Sequence, residues 1–178
     1  MKYKRGIRML YEIRLAEEDD IRIIVELLNK VTLNLHQKSI TQWTYPWDIE
    51  EINIDIKNKN IYVITIDKLI VGTFSIKDMG VNAVLHINKP NNLYLYRIAI
   101  LPGYQGKDIG LKIVNYAFKI SRNLRKTLYL DCWAGNVKLK TYYSKAGFDY
   151  CGDFQEKDYM ISVFKYAFPI NSIFVDFS

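Results

Sequence analysis

The stretch Leu93–Leu111, LYLYRIAILPGYQGKDIGL, decides how the chain folds. Its first half alternates Tyr94, Tyr96, Ile98 and Ile100, residues that suit a pleated, half-buried strand. Pro102 and Gly103 stop that strand, because proline lacks a ladder donor and Pro-Gly marks a turn. Gln105, Gly106 and Gly110 then lead into Ile109, Ile113, Val114 and Ala117, apolar positions at helical spacing. Strand, glycine-bearing turn and helix start together suit an anion. The first helical turn has unpaired N–H groups and a positive dipole end, and glycines let a phosphate approach the backbone. Neither GxxxxGK[ST] nor GxGxxG with a later acidic partner is present, which sets aside the P-loop and the dinucleotide-binding turn.

A second stretch, Thr127–Gly152, reads TLYLDCWAGNVKLKTYYSKAGFDYCG. Leu128, Leu130 and Cys132 alternate with Tyr129 and Asp131 as a strand, and Asn136 is placed to cap a following helix. The order strand, turn, helix, strand, helix forms one βαβα unit. Its two motifs resemble those of the GNAT N-acetyltransferases. The first is a strand, a proline step and [Q/R]-x-x-G-x-[G/A], with Gln105 and Gly110 in place and Asp108 where the middle glycine is expected. The second is N-x-x-L-x-x-x-Y-x-x-x-G-F, met by Asn136, Leu139, Tyr143, Gly147 and Phe148. The resemblance is carried by Leu93–Gly152, and from Ile7 to Ile76 it rests on the order of elements alone.

What the resemblance implies is an α/β fold: one GNAT-like domain over residues 1–178, with a mixed, mostly antiparallel sheet of about six or seven strands and helices on both faces. It implies acetyl-CoA as cosubstrate, held by main-chain groups of Ile98, Ala99 and Ile100 and by the turn Gln105, Gly106, Lys107, Asp108, Ile109, Gly110 and Leu111. Asn136 would contact the pantetheine arm, although a plain N-cap explains it as well. Tyr143 would face the sulfur as general acid; its alternative is a helix-face aromatic, with Tyr142 as the packed one of the pair. Asp131 stands twelve residues before Tyr143, a spacing that resembles the Glu-to-Tyr pair of the ribosomal-protein alanine acetyltransferases. It is a candidate general base, acting through water, or a residue that only orders its strand. Glu12 and Asp48 stay open as bases. A carboxylate beside a pyrophosphate is repelled, so the Asp108 side chain is expected to point away and cap the helix.

Composition bounds these readings. With 178 residues, 49% hydrophobic and 25% charged, the chain can bury a sizeable core as one folded domain. No apolar run approaches the ~20 residues of a membrane span and no signal-peptide pattern follows Met1, so a cytoplasmic, membrane-free protein is expected. Cys132 and Cys151 show no metal spacing, and no metal is expected; Cys132 reads as a small core residue, with His36 and His86 far from it in sequence. Tyr104–Lys145 holds nine basic and two acidic residues, net +7, against −1 for the rest of the chain. That field suits a polyanion such as coenzyme A. A solvated basic helix face accounts for most of these lysines, and no nucleic-acid-binding motif is present.

Elsewhere, Met1–Arg8 is a basic lead-in and Met9–Leu15 a first strand. Glu17, Glu18, Asp19 and Asp20 open a helix through Ile21, Ile24, Val25 and Leu28, where acidic residues complement the dipole. Val31–Trp47 reads as irregular and ends in QWTYPW. The resemblance makes its Trp43, Tyr45 and Trp47 candidate acceptor contacts; a satellite hydrophobic cluster is the alternative. Asp48 and Glu51 have capping-box spacing for a second helix with Ile49, Ile52 and Ile56 on one face. Ile61–Ile66 and Leu69–Ile76 form a hairpin turning at Asp67-Lys68, and Lys77–Asn92 is a loop. Tyr150–Phe154 and Tyr159–Phe168 are two more strands, closed by Pro169. The apolar tail Ile170–Ser178 docks on this chain or on a second copy, which leaves a homodimer open.

The resemblance thus implies an acetyl-CoA-dependent N-acetyltransferase acting on a small-molecule or peptide amine by direct transfer. A coenzyme-A-binding module of the same fold without catalysis is the alternative, and a basic nucleic-acid-binding domain ranks third.

Overall fold

The computed structural model describes residues 10–82, 87, 90–156 and 158–167. The Met1–Arg8 lead-in, His86, the strand end at Phe168–Pro169 and the Ile170–Ser178 tail lie outside the described residues. The elements, in chain order, are β1 (Tyr11–Leu15), α1 (Ile21–His36), α2 (Ile49–Lys57), β2 (Ile61–Ile66), β3 (Leu69–Met79), β4 (Asn92–Ile100), α3 (Ile109–Leu124), β5 (Thr127–Trp133), α4 (Val137–Ala146), β6 (Asp149–Glu156) and β7 (Tyr159–Tyr166). The seven strands hydrogen-bond in the order β1-β2-β3-β4-β5-β7-β6. The β1/β2, β5/β7 and β6/β7 pairs are antiparallel and β4/β5 is parallel, so the sheet is the mixed, mostly antiparallel one expected. Among the described residues no helix is long and apolar enough to cross a membrane. The chain forms two compact units, Met1–Phe74 with Arg97–Gly110, and Ser75–Tyr96 with Leu111–Ser178.

In the first unit, Asp67 and Lys68 both take positive φ (49° and 70°), the conformation a two-residue hairpin turn needs to match strand twist. The core gathers Ile24, Leu27, Leu28 and Val31 of α1 with Ile52 and Ile56 of α2, Ile61 and Val63 of β2 and Ala99 of β4. The α1 helix runs to His36, past the irregular segment expected from Val31. Thr32 explains the difference: it is fully buried, and its hydroxyl donates to the Leu28 carbonyl at 2.8 Å, so a polar residue continues the apolar face. Asp48 caps α2 by accepting from Glu50 N at 2.9 Å, but Glu51 does not complete a capping box and pairs with Arg97 instead. Ile49, expected on the buried face, is 45% exposed at the helix's open end.

In the second unit, β5 is flanked by β4 (Asn92↔Thr127 to Tyr94↔Tyr129) and by β7 (Leu128↔Tyr166 to Trp133↔Ile161). The alternation is as expected: Leu128, Leu130 and Cys132 are buried, while Tyr129, Asp131 and Trp133 are half-buried. Phe118 of α3 packs on Phe148 and Tyr166, and Tyr143 of α4 packs on Phe148 and Phe164. Tyr143 is buried and Tyr142, edge-on to it, is half-buried, so Tyr143 is the more deeply packed of the pair, the reverse of the expectation. Gly147 ends α4 in the left-handed region (φ 107°), where glycine is favoured. The loop expected from Lys77 starts later, since β3 extends to Met79, and Asn82 and Ile87 bridge across it.

Candidate functional site

In the first unit, β4 delivers Ile98, Ala99 and Ile100 to the glycine-bearing turn, with Ala99 buried and its neighbours half-buried. Leu101 N donates to the Val71 carbonyl at 2.9 Å, and Pro102–Tyr104 form a 3-10 turn. Gln105 folds back so that Nε2 donates to the Ile100 carbonyl at 2.9 Å. Gly106 (φ 73°) and Asp108 (φ 59°) are both left-handed, and α3 starts at the next residue, Ile109, which is buried. Asp108 thus occupies the position of the motif's middle glycine and adopts a backbone conformation that favours glycine. Successive N–H groups that pass through left-handed residues into a helix start form a concave donor array for an anion. A Cβ added at Gly106 would meet no atom within 4 Å, so the turn is open there. Lys107 is exposed and lies over the Tyr104 ring at 5.2 Å.

The aromatic segment belongs to the same unit. Trp43 and Trp47 meet edge to face at 5.5 Å and pack against the core, whereas Tyr45 is 50% exposed. Trp47 is tied down by Nε1 donating to Thr32 Oγ1 (2.8 Å) and by its backbone N–H donating to Asn29 Oδ1 (2.9 Å).

In the second unit, the Tyr94 hydroxyl donates to the Asp131 carboxylate. Burial pushes the Asp131 carboxyl above its ordinary range; the Tyr94 hydrogen bond opposes that shift, and the charge of Glu156 adds to it. Burial, with the charge of Asp131, also raises the Tyr94 hydroxyl. Tyr143 is buried, which pushes its hydroxyl well above the ordinary tyrosine value, so it is protonated at neutral pH. Asn136 Oδ1 accepts from Leu139 N at 3.1 Å and caps α4, which leaves its amide N–H groups for other partners. Cys132 is a buried core residue whose thiol burial pushes up to about 11. Among the described residues no group of three His, Cys, Asp or Glu side chains could hold a metal ion.

The first unit therefore holds Ile98–Ile100, the turn to Gly110 and the tryptophan segment, and the second holds Leu111, Asp131, Asn136 and Tyr143. Two residues with notable side-chain contacts, Tyr94 and Arg97, were not singled out from the sequence. Tyr94 is separated from Asp131 by 37 positions, and only the strand pairing shows them as partners. Arg97 had a signal: it is the lone charge in LYLYRIAI and shares the parity of the buried Leu93, Leu95 and Ala99.

The model of the acetyltransferase (GNAT) family matches residues 22–148. The fold is similar to a GNAT-family acetyltransferase of Streptococcus agalactiae, with a TM-score of 0.75 and 22% identity over 88% of this chain and 95% of that one. It is similar to the PaiA N-acetyltransferase of Thermoplasma acidophilum, solved in complex with coenzyme A, with a TM-score of 0.69 and 21% identity over 89% and 100% of the two chains. YncA of Salmonella typhimurium, solved with its cofactor acetyl-CoA, matches with a TM-score of 0.69 and 14% identity over 91% and 96%. Comparison with curated proteins finds no match.

Proposed function

The chain belongs to the GNAT acetyltransferase family, and from that premise we propose that it transfers an acetyl group from acetyl-CoA to a primary amine, by direct attack in a ternary complex. The observation that carries the reading is the turn Gln105–Gly110, whose two left-handed residues and open Gly106 feed a sixteen-residue helix. Main-chain N–H groups from Gln105 to Leu111 would hold the pyrophosphate, and those of Ile98–Ile100 the pantetheine and thioester end. The amide of Asn136 is a further donor for the pantetheine arm. Bound acetyl-CoA supplies an acyl group activated as a thioester.

The chain's own residues supply the proton positions. Asp131 accepts a proton from the acceptor ammonium, directly or through water, and the Tyr94 hydroxyl orients its carboxylate. Tyr143, protonated at neutral pH, holds a proton at Oη for the departing sulfur. The exposed Tyr45, flanked by Trp43 and Trp47, offers a surface to the acceptor, a small-molecule or peptide amine. We take the whole chain as one such domain, with no nucleic-acid partner.

A panel of amines assayed for free-thiol release from acetyl-CoA tests the reading. At least one amine class accelerates release, and Tyr143→Phe lowers kcat by ~10²-fold while acetyl-CoA affinity stays unchanged. Acetyl-CoA binding without turnover by any amine, and with no effect of Tyr143→Phe, would identify a coenzyme-A-binding module instead.

A further inference from the structure

Arg97 is an anomaly on three counts, all within the first unit. It is a non-glycine residue with φ 54° in the interior of β4, so the strand bends there through a left-handed residue. Its side chain is a cation only 9% exposed. And it is held from three directions: Nη2 to Glu51 Oε1 at 2.5 Å, Nη1 to Asp55 Oδ2 at 2.8 Å, and the guanidinium 5.0 Å from the centre of the Trp47 ring. Both carboxylates come from α2, and Trp47 is anchored on Asn29 and Thr32 of α1. A planar guanidinium with two carboxylates and an aromatic face is a fixed geometry that a lysine reproduces only in part.

The next three residues are Ile98, Ala99 and Ile100. We propose that Arg97 is a positioning residue: gripped by Glu51, Asp55 and Trp47, it fixes the bend in β4 and thereby the direction of the main-chain groups that receive the pantetheine and thioester end of the donor. The inference rests on reading Ile98–Ile100 as the donor-holding strand. It also gives the tryptophan segment a mechanical link to that strand, because Trp47 is one of the three grips. The turn Gln105–Gly110 lies further along the chain, beyond Leu101–Tyr104, where Leu101 N is held by the Val71 carbonyl; Gln105 Nε2 ties the turn back to the Ile100 carbonyl. Loss of the grip therefore alters the strand more than the turn.

Two ligands separate those effects: acetyl-CoA, which reaches strand and turn, and 3′-phosphoadenosine 5′-diphosphate, the coenzyme's nucleotide half, which reaches the turn alone. Calorimetric titration of wild type, Arg97→Ala, Arg97→Lys and Glu51→Gln with each ligand, alongside melting temperatures, is the test. Arg97→Ala weakens acetyl-CoA by about tenfold, and the nucleotide half changes by less than about twofold. Arg97→Lys recovers part of the loss. Glu51→Gln, at a side chain 53% exposed and outside β4, shows a smaller loss with the same selectivity, and it carries the test if Arg97→Ala does not fold. Equal weakening of both ligands in step with melting temperature would make Arg97 a stability residue and overturn the inference, as would variants that bind both like wild type. Wild-type protein that binds neither ligand overturns the donor reading, and this inference with it.

Discussion

The hydrogen bond from Tyr94 to Asp131 sets the sign of a pH effect. Burial raises the Asp131 carboxyl and the Tyr94 hydroxyl lowers it, so removing the hydroxyl leaves burial unopposed. Tyr94→Phe should then move the acid limb of the kcat/KM profile to higher pH, with activity at alkaline pH retained; an unmoved limb would separate Asp131 from the proton transfer. Asp131→Asn should cut kcat/KM most at neutral pH and recover in part at high pH, where the free amine is already present. Asp108 supplies a second test at this scale. An L residue at φ 59° is strained by roughly 1 kcal/mol, so Asp108→Gly should leave melting temperature level or raised and acetyl-CoA affinity unchanged or improved. A marked loss of affinity would misplace the pyrophosphate. The sequence located this residue as the departure from the motif, because a side chain in a glycine slot is visible in one dimension. The partnership of Tyr94 with Asp131 was not visible, since it depends on two strands lying side by side.

The start of α1 shows how an element uses charge. Four carboxylates in a row read as a complement to the helix dipole, but the structure singles out Asp20. It is buried, accepts from Arg14 at 2.6 and 3.0 Å, and accepts from Glu17 N at 2.8 Å. The Arg14 hydrogen bond holds its carboxyl below the ordinary aspartate value. Its contribution to stability is therefore fully present above that ordinary value and fades as pH falls through the lowered one. Asp20→Asn should reduce melting temperature at neutral pH, and the gap to wild type should close in strong acid; a gap that persists there would point to packing instead of the ion pair. Helix periodicity cannot reveal such a pair, because Arg14 belongs to a strand. The same limit hid the length of α1, where Thr32 is apolar in effect only because Leu28 and Trp47 satisfy its hydroxyl.

For the molecule as a whole, charge is the property the sequence displays most plainly. The excess lies in Tyr104–Lys145, which contains the turn, α3, β5 and most of α4. If that field draws in the donor, raising salt from about 0.05 to 0.5 M should weaken acetyl-CoA binding by roughly threefold or more, since exposed charges are screened beyond about one Debye length. Affinity independent of salt would leave the main-chain donors as the whole explanation. The glycine turn and the second motif were legible because they are short and local; the grip on Arg97 was not, because its partners come from α2 and the tryptophan segment. The strand order has one more consequence. It ends in β1 on one side and β6 on the other, and terminal strands are where chains zip together into fibrils. Along β1 the polar Glu12 and Arg14 interrupt the apolar run, and along β6 the register breaks between Tyr150 and Gly152, where φ reaches 140°. Each border is thus a poor template for an added strand, and the protein should remain dispersed at concentrations that would polymerise a flat, uncharged rim.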